Sequence, residues 1–342
     1  AVSGATFDCI SPVDGRLLGK VASCDLADAE RAVADARATF ESGVWSRLVP
    51  VKRKQAMIRF ADLMDKHAEE LALLETLDMG KPIGDALSVD VPGASRAIRW
   101  SGEAIDKIYD EVAATPHNEL GLVTREPVGV VAAIVPWNFP LIMTCWKLGP
   151  ALSTGNSVIV KPSEKSPLTA IRLAQLAIEA GIPAGVLNIL PGFGHTVGKA
   201  LALHMDVDTL VFTGSTKIAK QLMIYAGESN MKRVWLEAGG KSANIVFADA
   251  PDLKEAAEAA AAAARSAGAV RVVALGGGSA IDLAKLAALG ARDDSWADRL
   301  RDGRSMERLQ PLPILAIPTT AGSGSEATPF AVVYLGAVKR SV

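Results

Sequence analysis

Val128-Gly129-Val130-Val131-Ala132-Ala133-Ile134-Val135-Pro136-Trp137-Asn138-Phe139-Pro140 decides the fold. Its first eight residues are uncharged, small or β-branched, which is what a strand buried on both faces requires. Two prolines then hold the following loop, since each locks φ and withholds an N–H. Asn138 is left at the strand end between them. Similar runs at Ser157–Lys161, Val186–Leu190, Thr209–Thr213 and Asn244–Phe247 predict further strands. Amphipathic segments near 141–153, 166–180, 195–203, 216–226 and 251–265 predict helices between or after them. Apolar strands alternating with helices of this length imply parallel pairing through right-handed crossovers. The expected architecture is α/β, an open doubly wound parallel sheet whose ligands sit beyond the carboxyl ends of its strands.

Working outward, a short extended lead precedes helical spacing over Asp25 to Phe40 and Val51 to Asp78, so residues 1–120 read as a helical N-terminal part. Residues 121–264 are the α/β region. The same alternation continues over 265–333 as an appended α/β fragment: a strand at Arg271–Leu275, a helix at Ser279–Leu289, a charged loop from Arg292 to Arg308 and a strand at Ile314–Ile317. Residues 334–342 fit no pattern and stay unassigned.

The 342 residues allow two or three domains and a large core. A net charge of −2 gives no electrostatic case for nucleic acid or an anionic membrane as the main partner. Cys9, Cys24 and Cys145 are few, odd in number and unclustered, which fits a reducing cytoplasm better than a disulfide framework. No signal peptide is expected at residues 1–10. The uncharged stretch from Pro127 to Trp146 is long enough for a membrane span, but its prolines and Asn138 read as strand, loop and helix start.

Five segments converge on nucleotide chemistry. The amide of Asn138 can donate to a developing oxyanion, a contribution of roughly 3–4 kcal/mol where such donors have been removed. Lys161-Pro162-Ser163-Glu164 ends a strand with a cation and a carboxylate that suit ribose hydroxyls. Pro191-Gly192-Phe193-Gly194, with Gly198, is a flexible turn into a helix. Phe212-Thr213-Gly214-Ser215-Thr216 puts backbone N–H groups and hydroxyls at a helix start, where a pyrophosphate can sit. Glu237 lies beside Gly239-Gly240 and is a candidate general base. Singly, each has a plainer reading: strand-end Lys and Glu are more often solvated charges than ligands, and most Gly-Ser turns are only turns. Together, in this order, they are not an accident.

With these segments in place, residues 6–264 resemble the NAD(P)-dependent aldehyde dehydrogenase superfamily, most closely its bacterial γ-glutamylaminobutyraldehyde and aminoaldehyde members. The resemblance implies Asn138 as oxyanion donor and Glu237 as the base that activates water. It implies a cofactor cleft lined by Ile134, Pro136, Trp137, Gly194, Gly198 and Phe212, with Lys161, Ser163 and Glu164 at the ribose and Gly214 and Ser215 near the pyrophosphate. The carboxylate of Glu164 favours NAD, although the family tolerates NADP. Ala219 departs from the pattern, where many members have glycine. The resemblance also implies a small-molecule aldehyde substrate and assembly as homo-oligomers.

A larger departure concerns the nucleophile. The family places a catalytic cysteine just after the helix that follows Glu237, and here that position reads Arg265-Ser266-Ala267-Gly268-Ala269-Val270-Arg271. Cys145 falls on the apolar face of a helix and is expected to be a buried structural thiol. Cys9 and Cys24 belong to the N-terminal lead.

A second nucleotide signature follows at once. Gly276-Gly277-Gly278-Ser279-Ala280-Ile281-Asp282, with Lys285, ends a strand and opens a helix, and Ser279 and Asp282 have capping-box spacing. With Thr319 and Thr320 after the next strand, about residues 266–333 resemble the iron-containing (group III) alcohol dehydrogenases. That likeness implies Gly276, Gly277, Gly278, Ser279 and Asp282 at a pyrophosphate and Thr319 and Thr320 beside the nicotinamide. All four histidines precede Gly276, so no metal site is expected. The alanine run Ala259–Ala264 reads as a junction between the two resemblances. The readings that stay open are an aldehyde dehydrogenase-type oxidoreductase that is incomplete, or alternatively a chimeric NAD-binding protein without turnover or a partial iron-type alcohol dehydrogenase.

Overall fold

The extended lead closes on itself: β1 (Thr6–Ile10) pairs antiparallel with β2 (Leu17–Ala22). The computed structural model describes residues 1–239, 253–266, 272–276, 284–288, 290–291, 314–318, 332–335 and 338–341, and the chain divides into two compact units at Gly239. α1 (Leu26–Ser42) starts where Asp25 accepts from the N–H groups of Ala27 and Asp28 while Asp28 accepts from that of Asp25. This capping box satisfies donors that a first helical turn leaves unpaired. The helical spacing over 51–78 is realised as two helices, α2 (Pro50–Lys66) and α3 (Ala68–Met79), broken where His67 leaves the helical conformation. Periodicity cannot detect one residue leaving a helix.

A further helical run was not expected: α4 (Ile83–Asp85), a π-helical turn at Ala86–Asp90, and α5 (Val91–Ala104). Pro92 and Gly93 hide it, and Pro92 stands just after the π-helical turn, which runs into α5 without leaving helical backbone. β3 (Glu111–Ala113) and β4 (Gly121–Val123) then make a small exposed antiparallel hairpin.

The sheet follows as β5 (Val130–Ile134), α6 (Pro140–Ser153), β6 (Ser157–Lys161), α7 (Leu168–Glu179) and β7 (Leu187–Ile189). A π-helical turn at Gly194–Gly198 leads into α8 (Lys199–Leu203), then β8 (Thr209–Gly214), α9 (Thr216–Gly227) and β9 (Arg233–Ala238). The five strands are parallel in the order β7-β6-β5-β8-β9, so the order reverses between β5 and β8. The uncharged stretch 127–146 is divided among β5, its loop and α6. Among the described residues no helix is long and apolar enough to cross a membrane.

Alternation builds two cores from one sheet. Val131, Ala133 and Val135 pack with Val158, Val160 and residues of α2, α5, α6 and α7. Val130, Ala132 and Ile134 pack with Ile159, Leu210, Phe212 and residues of α1, α8 and α9. Helices therefore cover both faces, which is why the central strands carry no charge until Lys161. β9, at the sheet edge, alternates between exposed and half-buried residues. It lacks the apolar run that marks the inner strands.

In the second unit, α10 (Leu253–Ser266) buries Ala257 and Ala261, one turn apart. β10 (Val272–Gly276) pairs in parallel with β11 (Ile314–Pro318), and residues 284–288 are helical. An antiparallel pair, β12 (Val332–Leu335) and β13 (Val338–Ser341), begins two residues before the tail without a sequence pattern and continues into it. The strand expected at Asn244–Phe247 and the junction's flank at 267–271 lie outside the described residues.

Candidate functional site

Parallel register gathers the singled-out residues of the first unit at one edge. Ile134 is level with Lys161 on β6 and with Phe212 on β8, Thr213 with Glu237, and Gly214 with Ala238. The strand ends thus bring Asn138, Lys161, Glu164, Ser215 and Glu237 to the carboxyl edge around the β5–β8 reversal, where open α/β sheets form their ligand crevice.

Each element presents its side chain for a local reason. After β5, Pro136 is half-buried while Trp137, Asn138 and Phe139 face solvent. The Trp137 carbonyl accepts from Ser166 Oγ at 3.0 Å, and Lys165 Nζ lies 5.8 Å from the centre of its ring. Lys161 is buried at the end of β6, with Nζ 3.2 Å from Glu164 Oε2. Burial pushes the Lys161 ammonium below its ordinary pKa, and Glu164 opposes the shift. For Glu164 burial acts upward, but its own backbone N–H, Lys161 and Lys165 together hold the carboxyl below its usual range. Ser163 is half-buried and accepts from the Lys165 N–H. A cavity of about 570 Å³ includes Trp137, Glu164, Lys165, Ser166, Phe7 and Phe193 in its lining.

Ser215 caps α9, accepting from the Ile218 N–H at 3.4 Å. A side chain at Gly194 would meet open space, and one at Gly198 would only touch Ile134 and the Phe193 carbonyl. Phe212 is buried, and its ring occupies the place a side chain on Gly214 would take. Ala219 is buried in the core beneath α9, so the departure from glycine is absorbed as packing. Glu237 is exposed on β9.

Two more residues belong to this edge: Thr213, which the sequence marks only as part of the 212–216 segment, and Lys147, which it does not mark. Thr213 Oγ1 is buried without a hydrogen-bond partner, an orphan a polar ligand group would satisfy. Lys147, half-buried on α6, has its pKa lowered by burial and pulled back up by the charge of Glu237, which ties that carboxylate to the helix following Asn138. Its signal was available, since it is the one charge in the otherwise uncharged helix 140–153.

The chain's three cysteines are unpaired and buried. Burial pushes the Cys9 thiol up to about 12, helped by Asp78, and the Cys24 thiol up to about 11. Burial also raises Cys145, on the inner face of α6, strongly. Reactive thiols are exposed and acidified, and none of these is either. Gly276 ends β10, while Gly277, Gly278, Ser279, Asp282, Thr319 and Thr320 lie outside the described residues. Among the described residues no cluster of His, Cys, Asp and Glu could hold a metal ion.

Comparison with known proteins gives two family matches: the aldehyde dehydrogenase family over residues 1–270 and iron-containing alcohol dehydrogenase over residues 215–342. The NADP/NAD-dependent aldehyde dehydrogenase PuuC of Escherichia coli is 63% identical over 259 residues, 76% of this chain and 52% of that protein. Among solved structures, P. syringae indole-3-acetaldehyde dehydrogenase AldA, in complex with NAD+ and IAA, matches with 78% identity and a TM-score of 0.73, covering 80% of this chain and 56% of that one. A γ-glutamyl-γ-aminobutyraldehyde dehydrogenase from Burkholderia cenocepacia matches with 57% identity and a TM-score of 0.74, covering 84% and 59%. The chain spans about half the length of the relatives it matches. It belongs to the aldehyde dehydrogenase family.

Proposed function

We propose that this member of the aldehyde dehydrogenase family binds NAD at the carboxyl edge of its sheet and carries that chemistry's oxyanion donor and base without a usable nucleophile. The observation that carries the reading is a separation. Asn138, Lys161, Glu164, Ser215 and Glu237 meet at one edge, while all three thiols are buried with raised pKa values.

The residues present fit the cofactor. Lys161, Ser163 and Glu164 offer a cation, a hydroxyl and an ionised carboxylate to ribose hydroxyls. The N-terminus of α9, with Gly214 and Ser215, faces where a pyrophosphate is stabilised by the helix dipole and free N–H groups. Ile134, Pro136, Trp137 and Phe212 supply apolar walls, Gly194 and Gly198 leave room beside Ile134, and Thr213 supplies an unpaired hydroxyl. When bound, NAD would accept a hydride; the carboxylate of Glu164 favours a free 2′-hydroxyl, with NADP tolerated more weakly.

The chain's own contribution to chemistry is electrostatic and basic. Asn138 donates its side-chain amide to an aldehyde oxygen as negative charge develops on it. Glu237, exposed and facing Lys147, takes a proton from a water held at the same edge. An aminoaldehyde is the favoured substrate class, by likeness to the relatives named above. Covalent capture of that aldehyde needs a thiolate, and this stretch of chain has none to give. Exposed Ile218, Met223 and Ile224 on α9 support assembly into homo-oligomers, and three unpaired thiols support a reducing, cytoplasmic setting.

Titrating NADH while following energy transfer from tryptophan tests the binding half of the reading. A micromolar to millimolar Kd, weakened about tenfold by Glu164→Ala, is expected; a flat titration, or one that ignores the substitution, removes it. Aldehyde-dependent NADH production that a thiol-blocking reagent abolishes would overturn the claim that no thiol serves.

A further inference from the structure

Beneath the Asn138 loop lies a group of charges that neither the cofactor nor the proposed chemistry uses. Glu75 on α3 and Asp90 in the π-helical turn Ala86–Asp90 are buried, and Lys81 stands between them. Lys81 Nζ is 2.6 Å from Asp90 Oδ2 and 3.7 Å from Glu75 Oε1. The same ammonium sits 4.1 Å from the ring centre of Phe139, the residue that follows Asn138. Both carboxylate oxygens of Glu75 and Oδ1 of Asp90 are buried without a hydrogen-bond partner.

Stability does not account for this arrangement, because a buried carboxylate without full pairing costs free energy that an apolar residue would not. Position does. α6 begins at Pro140 with Phe139 as its cap residue, and no side chain caps it. Glu75 lies against that helix start, where the Leu141 N–H favours its charged form without reaching hydrogen-bond geometry. The groups facing Glu75 are Lys81, Asp90, Asp78 from its own helix and the Cys145 thiol from α6. Phe139 and Leu141, which flank Pro140 just after Asn138, are thus each approached from below, the ring by the Lys81 ammonium and the N–H by the Glu75 carboxyl. π-helical turns recur where a side chain must be re-aimed at a functional site, and Asp90 is delivered by one.

We propose that Lys81, Asp90 and Glu75 form a buried positioning device that fixes the direction of the Asn138 amide, through the ammonium on the Phe139 ring and the carboxylate at the start of α6. The inference rests on reading Asn138 as the oxyanion donor. These three are positioning residues, since they act on Asn138 only through Phe139 and the start of α6. A cation over a ring face gains attraction that strengthens as water is excluded, so rotation about the 138–139 backbone must break that contact.

The side-chain amide of Asn138, identified by its loss in Asn138→Ala, can be followed in nitrogen–proton correlation spectra of the full chain between pH 6 and 9.5. Burial pushes the Glu75 carboxyl up to about 8, so the wild-type amide signal is expected to shift with a midpoint near that pH. Glu75→Gln is expected to abolish the titration. Lys81→Met and Phe139→Leu are each expected to move the amide to the position of a mobile, solvated asparagine and to leave it independent of pH. An Asn138 signal that is flat with pH in the wild type, or unmoved by both substitutions, overturns the proposal. If Lys81→Met does not fold, Phe139→Leu carries the test, because that ring is 42% exposed. NADH titration is a separate readout. Asn138 moving as expected with no NADH binding would sink the cofactor reading and leave the positioning intact.

Discussion

The two edges of the parallel sheet are built to opposite ends. At the amino edge several polar groups are tied down. Asp208 accepts from the Val130 N–H at 2.7 Å and from Arg37 at 2.5 Å, and Asn156 accepts from the Gly129 N–H at 3.0 Å. Arg53 gathers the carbonyls of Trp45, Leu48 and Ser153. At the carboxyl edge Trp137, Asn138, Ser215 and Glu237 point into solvent, and Thr213 keeps a buried hydroxyl without a partner. One edge spends its polar groups on closing the fold; the other, beside its Lys161–Glu164 pair and Ser215 cap, keeps Asn138 and Glu237 turned to solvent and the Thr213 hydroxyl without a partner. A protein whose ligand binds at strand ends needs that asymmetry, because a group already satisfied by its own chain has little left to offer.

Substitution at the closed edge should give the largest effect. Asp208→Ala leaves the Val130 N–H unpaired and the Arg37 guanidinium without its carboxylate, a loss of about 2–3 kcal/mol after allowing for the pair's partial exposure. Urea unfolding measures this; a loss below about 1 kcal/mol, or a changed NADH affinity, would break the contrast between the edges.

Glu75→Gln asks whether the open edge also depends on groups buried below it. Burial raises the folded-state pKa of Glu75 from an ordinary 4.5 to about 8, so the unfolded chain ionises first as pH rises. Its contribution to stability is therefore complete below about pH 4.5 and is lost as pH climbs through 8. The glutamine variant should be more stable than wild type by ~1–2 kcal/mol at pH 9, with the difference gone near pH 5. Thermal melts at both pH values decide it, and a variant less stable at pH 9 contradicts the assignment.

The smallest effect belongs to the tip of the open edge. Asn138 is exposed, so Asn138→Ala should leave stability within about 0.5 kcal/mol of wild type. A larger loss would mean that Asn138 serves the fold.

The inner strands were legible because burial on both faces writes itself as an uncharged run, and β5, β6, β7 and β8 each stand within two residues of where that run predicts a strand. Asn138, Lys161, Glu164 and Ser215 were legible for a related reason: polar residues that follow such a run must lie at a strand end. β9 was not, since an edge strand with half its residues exposed carries no run. The break at His67 turns on the conformation of one residue. The cluster of Glu75, Lys81 and Asp90 was invisible because its members meet Phe139 and Leu141 only after helices packed far apart in sequence have come together. Lys147 was a different failure, a lone charge in an apolar helix whose partner Glu237 no local pattern could name.

Burial of Cys9, Cys24 and Cys145 has a practical side. A thiol that is neither ionised nor reached by water cannot react with a disulfide reagent until its surroundings open. Cys9 sits in the N-terminal hairpin, Cys24 hangs by its N–H from the Pro191 carbonyl, and Cys145 lies in the helix layer over the sheet. Each is a clock set in a different part of the first unit. The order in which the three take up label under native conditions reads out the order in which hairpin, loop and helix layer come apart, without any engineered probe.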